Sequence, residues 1–203
     1  MNFYNKYILP KLVNYDMSDK NFGKERSAVV ENASGVVLEV GFGSGLNIPF
    51  YKNISKLYGL DPSSELYKIA NERIKEANFP IEHIKASAEN IPLPNDSVDT
   101  ITSTWSMCTI PDPKLALKEM LRVLKPGGKF MFIEHGASPK KAIENLQKIF
   151  TPITKPFTGG CHMDRKIDEL ITNAGFEIIS MKNSGEKYKP LYYLYKGVAV
   201  KNI

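Results

Sequence analysis

Three glycines at alternate positions, Gly41, Gly43 and Gly45, follow the apolar run VVLEV (Val36 to Val40) in the segment VLEVGFGSGLNIPFY. Glycines at such a junction allow a tight turn and let backbone N–H groups approach a ligand with no Cβ in the way. A dinucleotide-binding GxGxxG would need glycine at position 46, where the chain has Leu46, so the GxGxG spacing turns the reading away from NAD or FAD. Asp61 lies about 20 residues past the first glycine, directly after a second apolar run, LYGL at Leu57 to Leu60, where a carboxylate can accept from both hydroxyls of a ribose. Asp61-Pro62-Ser63 also reads as a turn and helix cap, and the two readings are compatible. Glu39 is a charge inside an otherwise apolar run. Burying it is costly unless it is paired, which points to a cationic ligand or to ordered donors around it.

The elements that must position these residues alternate. Short apolar runs at Val36 to Val40, Leu57 to Leu60, Ile81 to Lys85, Val98 to Ser103 and Lys129 to Ile133 are separated by helical patterns, which implies parallel strands with crossover helices. The helices are expected from Ser63 or Ser64 to Ala77, Pro113 to Leu124, Lys140 to Phe150 and Asp164 to Ala174. The second stops at Lys125-Pro126-Gly127-Gly128. Phe176 to Met181 and Tyr192 to Val200 read as late strands able to pair antiparallel, giving an α/β mixed sheet with helices on both faces. Residues 1 to 35 read as a helical leader with Tyr4, Ile8, Leu12 and Tyr15 on one face and a kink at Pro10. A natural place for it is over the carboxyl edge of the sheet, as a lid, ahead of a domain spanning 36–203.

The totals exclude several functions. The 203 residues, 42% hydrophobic, suit a single core. The net charge of +5 rests on lysine, since Arg26, Arg73, Arg122 and Arg165 are the only arginines, and that argues against a nucleic-acid-reading surface. Cys108 and Cys161 make no disulfide framework, and no ligand spacing joins them to His83, His135 or His162, so no metal is expected. No apolar stretch reaches the roughly 18 residues that span a bilayer. The cytosol is the expected compartment, with peripheral membrane contact left open.

The series LEVGFGSG, Asp61, ASAENIPLPNDSVDTI and LRVLKPGGKF resembles the class I S-adenosylmethionine-dependent methyltransferases of the ubiquinone/menaquinone C-methyltransferase type. The resemblance covers about Val36 to Ile133. It implies a Rossmann-like seven-stranded sheet in the order 3-2-1-4-5-7-6, with the last strand antiparallel. It also implies S-adenosyl-L-methionine as cofactor and S-adenosyl-L-homocysteine as product. Position by position, Glu39, Gly41, Gly43, Gly45 and Asn47 would face the methionyl end, and Asp61 and Pro62 the ribose. Ser87, Ala88 and Glu89 would border the adenine, and Ser103 and Thr104 would lie under the methionine part. Ser87 is a departure, because many relatives have Asp there to accept from the adenine amino group.

NKYILPKL, GSGLNIPFY, SMCTIPD, IEHGA and GGCHMDR resemble a narrower group, the bacterial relatives of the methyltransferase-like thiol S-methyltransferases. Members of that bacterial group are often labelled phospholipid N-methyltransferases. The implied acceptor is small or lipophilic, a thiol or alternatively a phospholipid or quinone. His135, after the fifth strand, is the candidate base. Trp105, Met107, Cys108 and His162 are candidates for the acceptor pocket. The competing classes are a nicotinamide-dependent oxidoreductase, which Leu46 opposes, and a cofactor-binding interaction protein without turnover.

Overall fold

The computed structural model describes residues 4–186 and 189–202. Seven strands form one sheet: β1 (Ser34–Val40), β2 (Asn53–Leu60), β3 (Ile81–Ile84), β4 (Val98–Thr104), β5 (Leu124–His135), β6 (Phe176–Glu186) and β7 (Lys189–Lys201). Their order is β3-β2-β1-β4-β5-β7-β6, as the family resemblance implies. The β1–β2, β1–β4, β2–β3 and β4–β5 pairs are parallel, while β7 runs antiparallel to both β5 and β6. The chain steps outward from β1 through β2 to β3, then returns to lay β4 on the other side of β1, so the order reverses between β1 and β4. That reversal opens a crevice at the carboxyl ends of β1 and β4.

The apolar runs are continuous rather than alternating because both sheet faces are covered. Leu38, Val40, Phe130 and Phe132 point to the face packed by α4 (Pro113–Val123) and α6 (Ile167–Asn173). Their neighbours Val37, Met131 and Ile133 point to the face packed by α2 (Lys20–Val30) and α3 (Ser64–Lys75). Ser63 caps α3 by accepting from the Leu66 N–H at 3.2 Å, and Asp112 caps α4 through the Lys114 and Leu115 N–H groups.

The leader departs from the expected pattern. Tyr4–Ile8 is a π-helical turn and α1 is Leu9–Met17, with Pro10 in its first turn, where the missing N–H costs nothing. Pro10 thus starts a helix instead of kinking one. The change of helical phase breaks up the expected face: Ile8 and Tyr15 are exposed, and Leu9, Pro10, Val13 and Met17 turn inward over the sheet edge.

The fifth helix, α5 (Lys141–Thr154), runs four residues past its expected end, through Pro152. Its orientation is inverted. The buried residues are Glu144, Gln147 and Thr151, while Leu146, Ile149, Phe150 and Ile153 face outward, Ile149 being 61% exposed. Gln147 explains why the polar side packs inward: its amide accepts from the Ser138 N–H at 2.8 Å and donates to the carbonyls of Gly136 and Leu191. These backbone groups sit where β5 ends and β7 begins, so one side chain pairs the Ser138 N–H and the Gly136 carbonyl and shares the Leu191 carbonyl with His135.

Gln147→Ala is therefore expected to lower unfolding stability by about 1–3 kcal/mol. Ile153→Ala, despite removing a larger apolar group, should stay within about 0.5 kcal/mol because its site is solvent. Urea denaturation of the two variants checks this, and the reverse ranking would show that α5 packs by its apolar side.

Candidate active site

At the carboxyl edge the glycine turn follows β1. Gly41, Gly43 and Gly45 all have positive φ, between 54° and 75°. At Gly41 a side chain would also collide with Ser106, because the turn after β4 lies directly against it. A Cβ at Gly43 would meet only ordinary contacts, with the Gly41 carbonyl and Leu66 at 3.8 and 3.9 Å, and the Gly43 N–H donates to Asp61 Oδ2 at 2.9 Å. Asp61 Oδ1 accepts from the Ser63 N–H at 2.7 Å. The carboxylate thus ties the glycine loop to the start of α3 and keeps lone pairs for a ligand. Burial raises the Asp61 pKa, and the two N–H donors act against that shift.

Glu39 is buried at the same edge. Its Oε1 accepts from Asn47 Nδ2 and its Oε2 from the Tyr51 hydroxyl, both at 2.9 Å. Burial pushes its carboxyl up to about 8, with Tyr51, Arg26 and Asn47 acting in the opposite direction. Arg26 arrives from α2. Its Nη1 donates to Asn47 Oδ1 at 3.2 Å and Thr104 Oγ1 at 3.1 Å, and its guanidinium lies 4.8 Å from the centre of the Trp105 ring. Arg26 is only 5% exposed and burial lowers its pKa to about 10. Its Nε has no partner among the described residues.

The turn after β4 rests on a second buried carboxylate. Glu134 accepts from Ser103 Oγ at 2.6 Å and from the N–H groups of Ser106 and Met107 at 3.3 and 3.0 Å. Burial pushes this carboxyl up to about 7. The turn holds Trp105 at φ 53°, a conformation that costs a non-glycine residue about 1–2 kcal/mol. Trp105 is fixed there by its indole N–H on the Tyr192 hydroxyl at 2.9 Å and by edge contact with Phe22.

These groups surround one cavity of about 960 Å³. Of the residues singled out in the sequence, Glu39, Gly41, Gly43, Asp61, Thr104, Trp105, Cys108 and His135 line it. Others stand behind the wall. The Ser103 hydroxyl is committed to Glu134 and Ser106, Met107 is in the core, and Asn47 supports Glu39 and Arg26. Gly45, Pro62 and His162 do not reach the lining, and the Ser87-Ala88-Glu89 turn is closed on itself by a 2.7 Å Ser87–Glu89 hydrogen bond. Tyr188, one of the tyrosines near the late strands, lies outside the described residues. The sequence reading missed Arg26 and Tyr51; the family pattern puts Cys161 in a loop at the mouth, and it lines the cavity. Arg26 carried a signal, as the sole arginine of a lysine-rich leader.

Residues 38–132 match a family described as a methyltransferase domain. The phosphatidylethanolamine N-methyltransferase of Cereibacter sphaeroides is 29% identical over 170 residues, which are 79% of this chain and 83% of that protein. The human thiol S-methyltransferase TMT1B is 32% identical over 178 residues, 83% of this chain and 72% of that protein. The chain belongs to the class I S-adenosylmethionine-dependent methyltransferases. This methyltransferase shares its fold with a chain of the complex between the Haloferax volcanii Trm112 methyltransferase activator and a methyltransferase. The TM-score is 0.74 at 19% identity, covering 100% of this chain and 98% of that one. The family's cofactor is S-adenosylmethionine. The cavity suits it: a buried guanidinium, a buried carboxyl, a second carboxylate with spare lone pairs, and a glycine turn in the lining at Gly41 and Gly43.

Gly41→Ala should lower stability by about 2–4 kcal/mol, from the left-handed backbone and from displacement of Ser106. Denaturant melts measure it, and a loss below about 0.5 kcal/mol would mean that the turn remodels freely.

Proposed function

We propose that this methyltransferase transfers a methyl group to a small lipophilic acceptor, a thiol, taken up through an apolar mouth that faces a membrane surface. The observation that carries this reading is the inverted helix α5. Its outward residues Ile149 and Ile153 continue into exposed Phe157, which lines the cavity together with Leu9, Leu12 and Val13 of α1. A helix with an apolar outer face and exposed lysines beside it, here Lys140, Lys141, Lys148 and Lys155, suits an interface with anionic lipid. The identity with a thiol S-methyltransferase supports sulfur as the acceptor atom. The identity with a phospholipid N-methyltransferase supports a second reading, in which the acceptor is itself a lipid headgroup.

In either reading the chain's residues divide the work. Arg26, through its unpartnered Nε, would take a carboxylate, and Glu39 an ammonium, at opposite ends of one amino-acid moiety. Asp61 would accept from the ribose hydroxyls while holding the Gly43 turn. Ser87 and Glu89, the latter holding the Asp112 N–H at the start of α4, would border the adenine. When bound, the cofactor supplies a methyl group on a sulfonium, an electrophile that needs only an aligned lone pair. Trp105, Cys108 and the apolar mouth would align the acceptor and exclude water. A free thiol is already a few per cent ionised near neutral pH. His135 has both ring nitrogens engaged, by Leu191 and Cys161. Our reading therefore gives His135 a positioning role and lets the acceptor enter as thiolate.

Calorimetry with S-adenosylhomocysteine tests the cofactor half. At pH 7 a Glu39 carboxyl pushed up to about 8 is largely protonated, so a cationic ammonium beside it should expel a proton to the buffer. Glu39→Gln should abolish that release, and Asp61→Ala should weaken binding by at least about tenfold. Wild-type binding with no proton release would overturn the Glu39 assignment. Sedimentation with phosphatidylcholine vesicles containing phosphatidylglycerol tests the membrane half. The chain should pellet at low salt, and Ile149→Glu with Ile153→Glu should reduce this about tenfold. A wild-type chain left in the supernatant would overturn it.

A further inference from the structure

Both cysteines line the cavity on the side away from the glycine turn, and neither is used by the methyl-transfer reading in a chemical role. Cys108 belongs to the turn after β4, and Cys161 to the loop that follows α5. One backbone hydrogen bond and one arginine side chain hold these loops together. The His162 N–H donates to the Cys108 carbonyl at 2.8 Å, and Arg165 Nη1 donates to the carbonyls of Met107 and of Ile110, the latter at 2.7 Å. Gly160, at φ 94°, permits the approach, with its missing Cβ facing the Thr109 carbonyl at 3.6 Å. The two thiols lie within hydrogen-bonding reach of each other.

The histidine beside them is oriented. His135 Nε2 lies 3.1 Å from the Leu191 carbonyl, which can only accept, so Nε2 carries the hydrogen. Nδ1 is then the nitrogen that faces Cys161 Sγ, at 3.7 Å. Thiol, imidazole and an orienting carbonyl form the arrangement of an activated nucleophile. Around the Cys161 sulfur stand Cys108 and Glu134 from the β4–β5 edge, His135 from the end of β5, and His162 and Arg165 from its own loop and the approach to α6. The Cys108 thiol, His135 and His162 favour thiolate at Cys161, lowering it to about 5 against burial. The hydrogen bond to Cys161 and burial push the Cys108 thiol well up. One sulfur is therefore an exposed-side nucleophile and the other a protonated reserve. Among the described residues no group of three or more Cys, His, Asp or Glu is arranged to hold a metal, so the pair is not a metal centre.

We propose that Cys161 and Cys108 form a thiol–disulfide exchange site, in which Cys161, oriented by His135, attacks a low-molecular-weight disulfide admitted by the cavity and Cys108 resolves the product. In the first step the Cys161 thiolate forms a bond to one sulfur of R–S–S–R, the S–S bond breaks, and one RS⁻ leaves. In the second, the Cys108 sulfur attacks the Cys161 sulfur, the S–S bond of the mixed disulfide breaks, and the remaining RS group leaves with the Cys108 proton as RSH. The products are RS⁻, RSH and a Cys108–Cys161 disulfide: the small disulfide is reduced and the cysteine pair is oxidised. The cross-link removes the Cys161 sulfur from His135 and fastens the loop after α5 across the acceptor side of the cavity. The inference does not depend on which acceptor the methyltransferase uses.

The test uses the reduced full-length chain and 5,5′-dithiobis(2-nitrobenzoate). The unaltered chain should release two thionitrobenzoate ions, keep no label, become lighter by two hydrogens, and yield a peptide joining Cys108 to Cys161. Cys108→Ser should release one and retain the label on Cys161. Cys161→Ser should react at least about tenfold more slowly at pH 7. His135→Ala should move the midpoint of the pH–rate profile for labelling Cys161 upward, an effect that loss of packing alone does not produce. Should a variant not fold, substoichiometric iodoacetamide on the unaltered chain should alkylate Cys161 ahead of Cys108. Stable labelling of both cysteines, alkylation of Cys108 first, or a Cys161 midpoint at the ordinary thiol value would overturn the proposal.

Discussion

The carboxyl edge of this sheet depends on burying ionisable groups without leaving them unpaired. Glu39 and Arg26 are 2% and 5% exposed, and an unbonded Glu39 carboxyl or an unpaired Arg26 charge would be strongly destabilising. They are joined through Asn47, which donates to Glu39 and accepts from Arg26, and through Thr104, which takes a hydrogen bond from both Arg26 and Asn47. Tyr51 closes the other side by bridging Glu39 and Thr102. The network draws on α2, β1, the 3₁₀ turn after the glycine loop, and β4. Moving any one of these elements would strand a charge. The cavity thus has walls in fixed relation before any ligand arrives, which is what electrostatic recognition requires.

Glu134 solves a related problem one strand away. It has no cationic side chain bonded to it; its donors are a serine hydroxyl and two backbone N–H groups of the Ser103–Met107 turn. A carboxylate used in this way acts as a template for backbone, and the strained Trp105 conformation is sustained by it and by the indole's bond to Tyr192. The same turn places Cys108 against the loop after α5. One buried carboxyl therefore shapes both the floor under the cofactor half and the acceptor side.

Much of this was legible in the sequence, for identifiable reasons. The parallel strands and the glycine turn could be read because consecutive apolar residues fill both faces of a parallel sheet, and because GxGxG followed by Asp61 fixes a local geometry; the strand order came from the family resemblance. Ser63 announced its helix as a cap, whereas the Asp112 cap went unread. The leader and α5 could not be read in the same way. Their packing is decided by single long-range contacts: Arg26 with Thr104, 78 positions away, and Gln147 with Leu191, 44 positions away. In α5 the apolar periodicity was real but pointed to solvent, because satisfying three backbone groups decides which side packs. The role of Cys161 was likewise hidden, since its partners come from turns 26 and 53 positions upstream.

The position of β7 has a consequence for how the molecule is made. It is the last strand in sequence, yet it lies between β5 and β6, and its Lys196 pairs with Glu25 in the leader at 2.6 Å, 171 positions back. During synthesis β6 has no neighbour to pair with until β7 emerges, and β5 presents an open edge for the same interval. The helices ahead of β1, although made before the sheet, cannot complete their charged contacts until β4 and then β7 exist. Docking of those helices and closure of the sheet therefore wait on the same strand, and a nascent chain lacking β7 would expose a sheet edge of its own core.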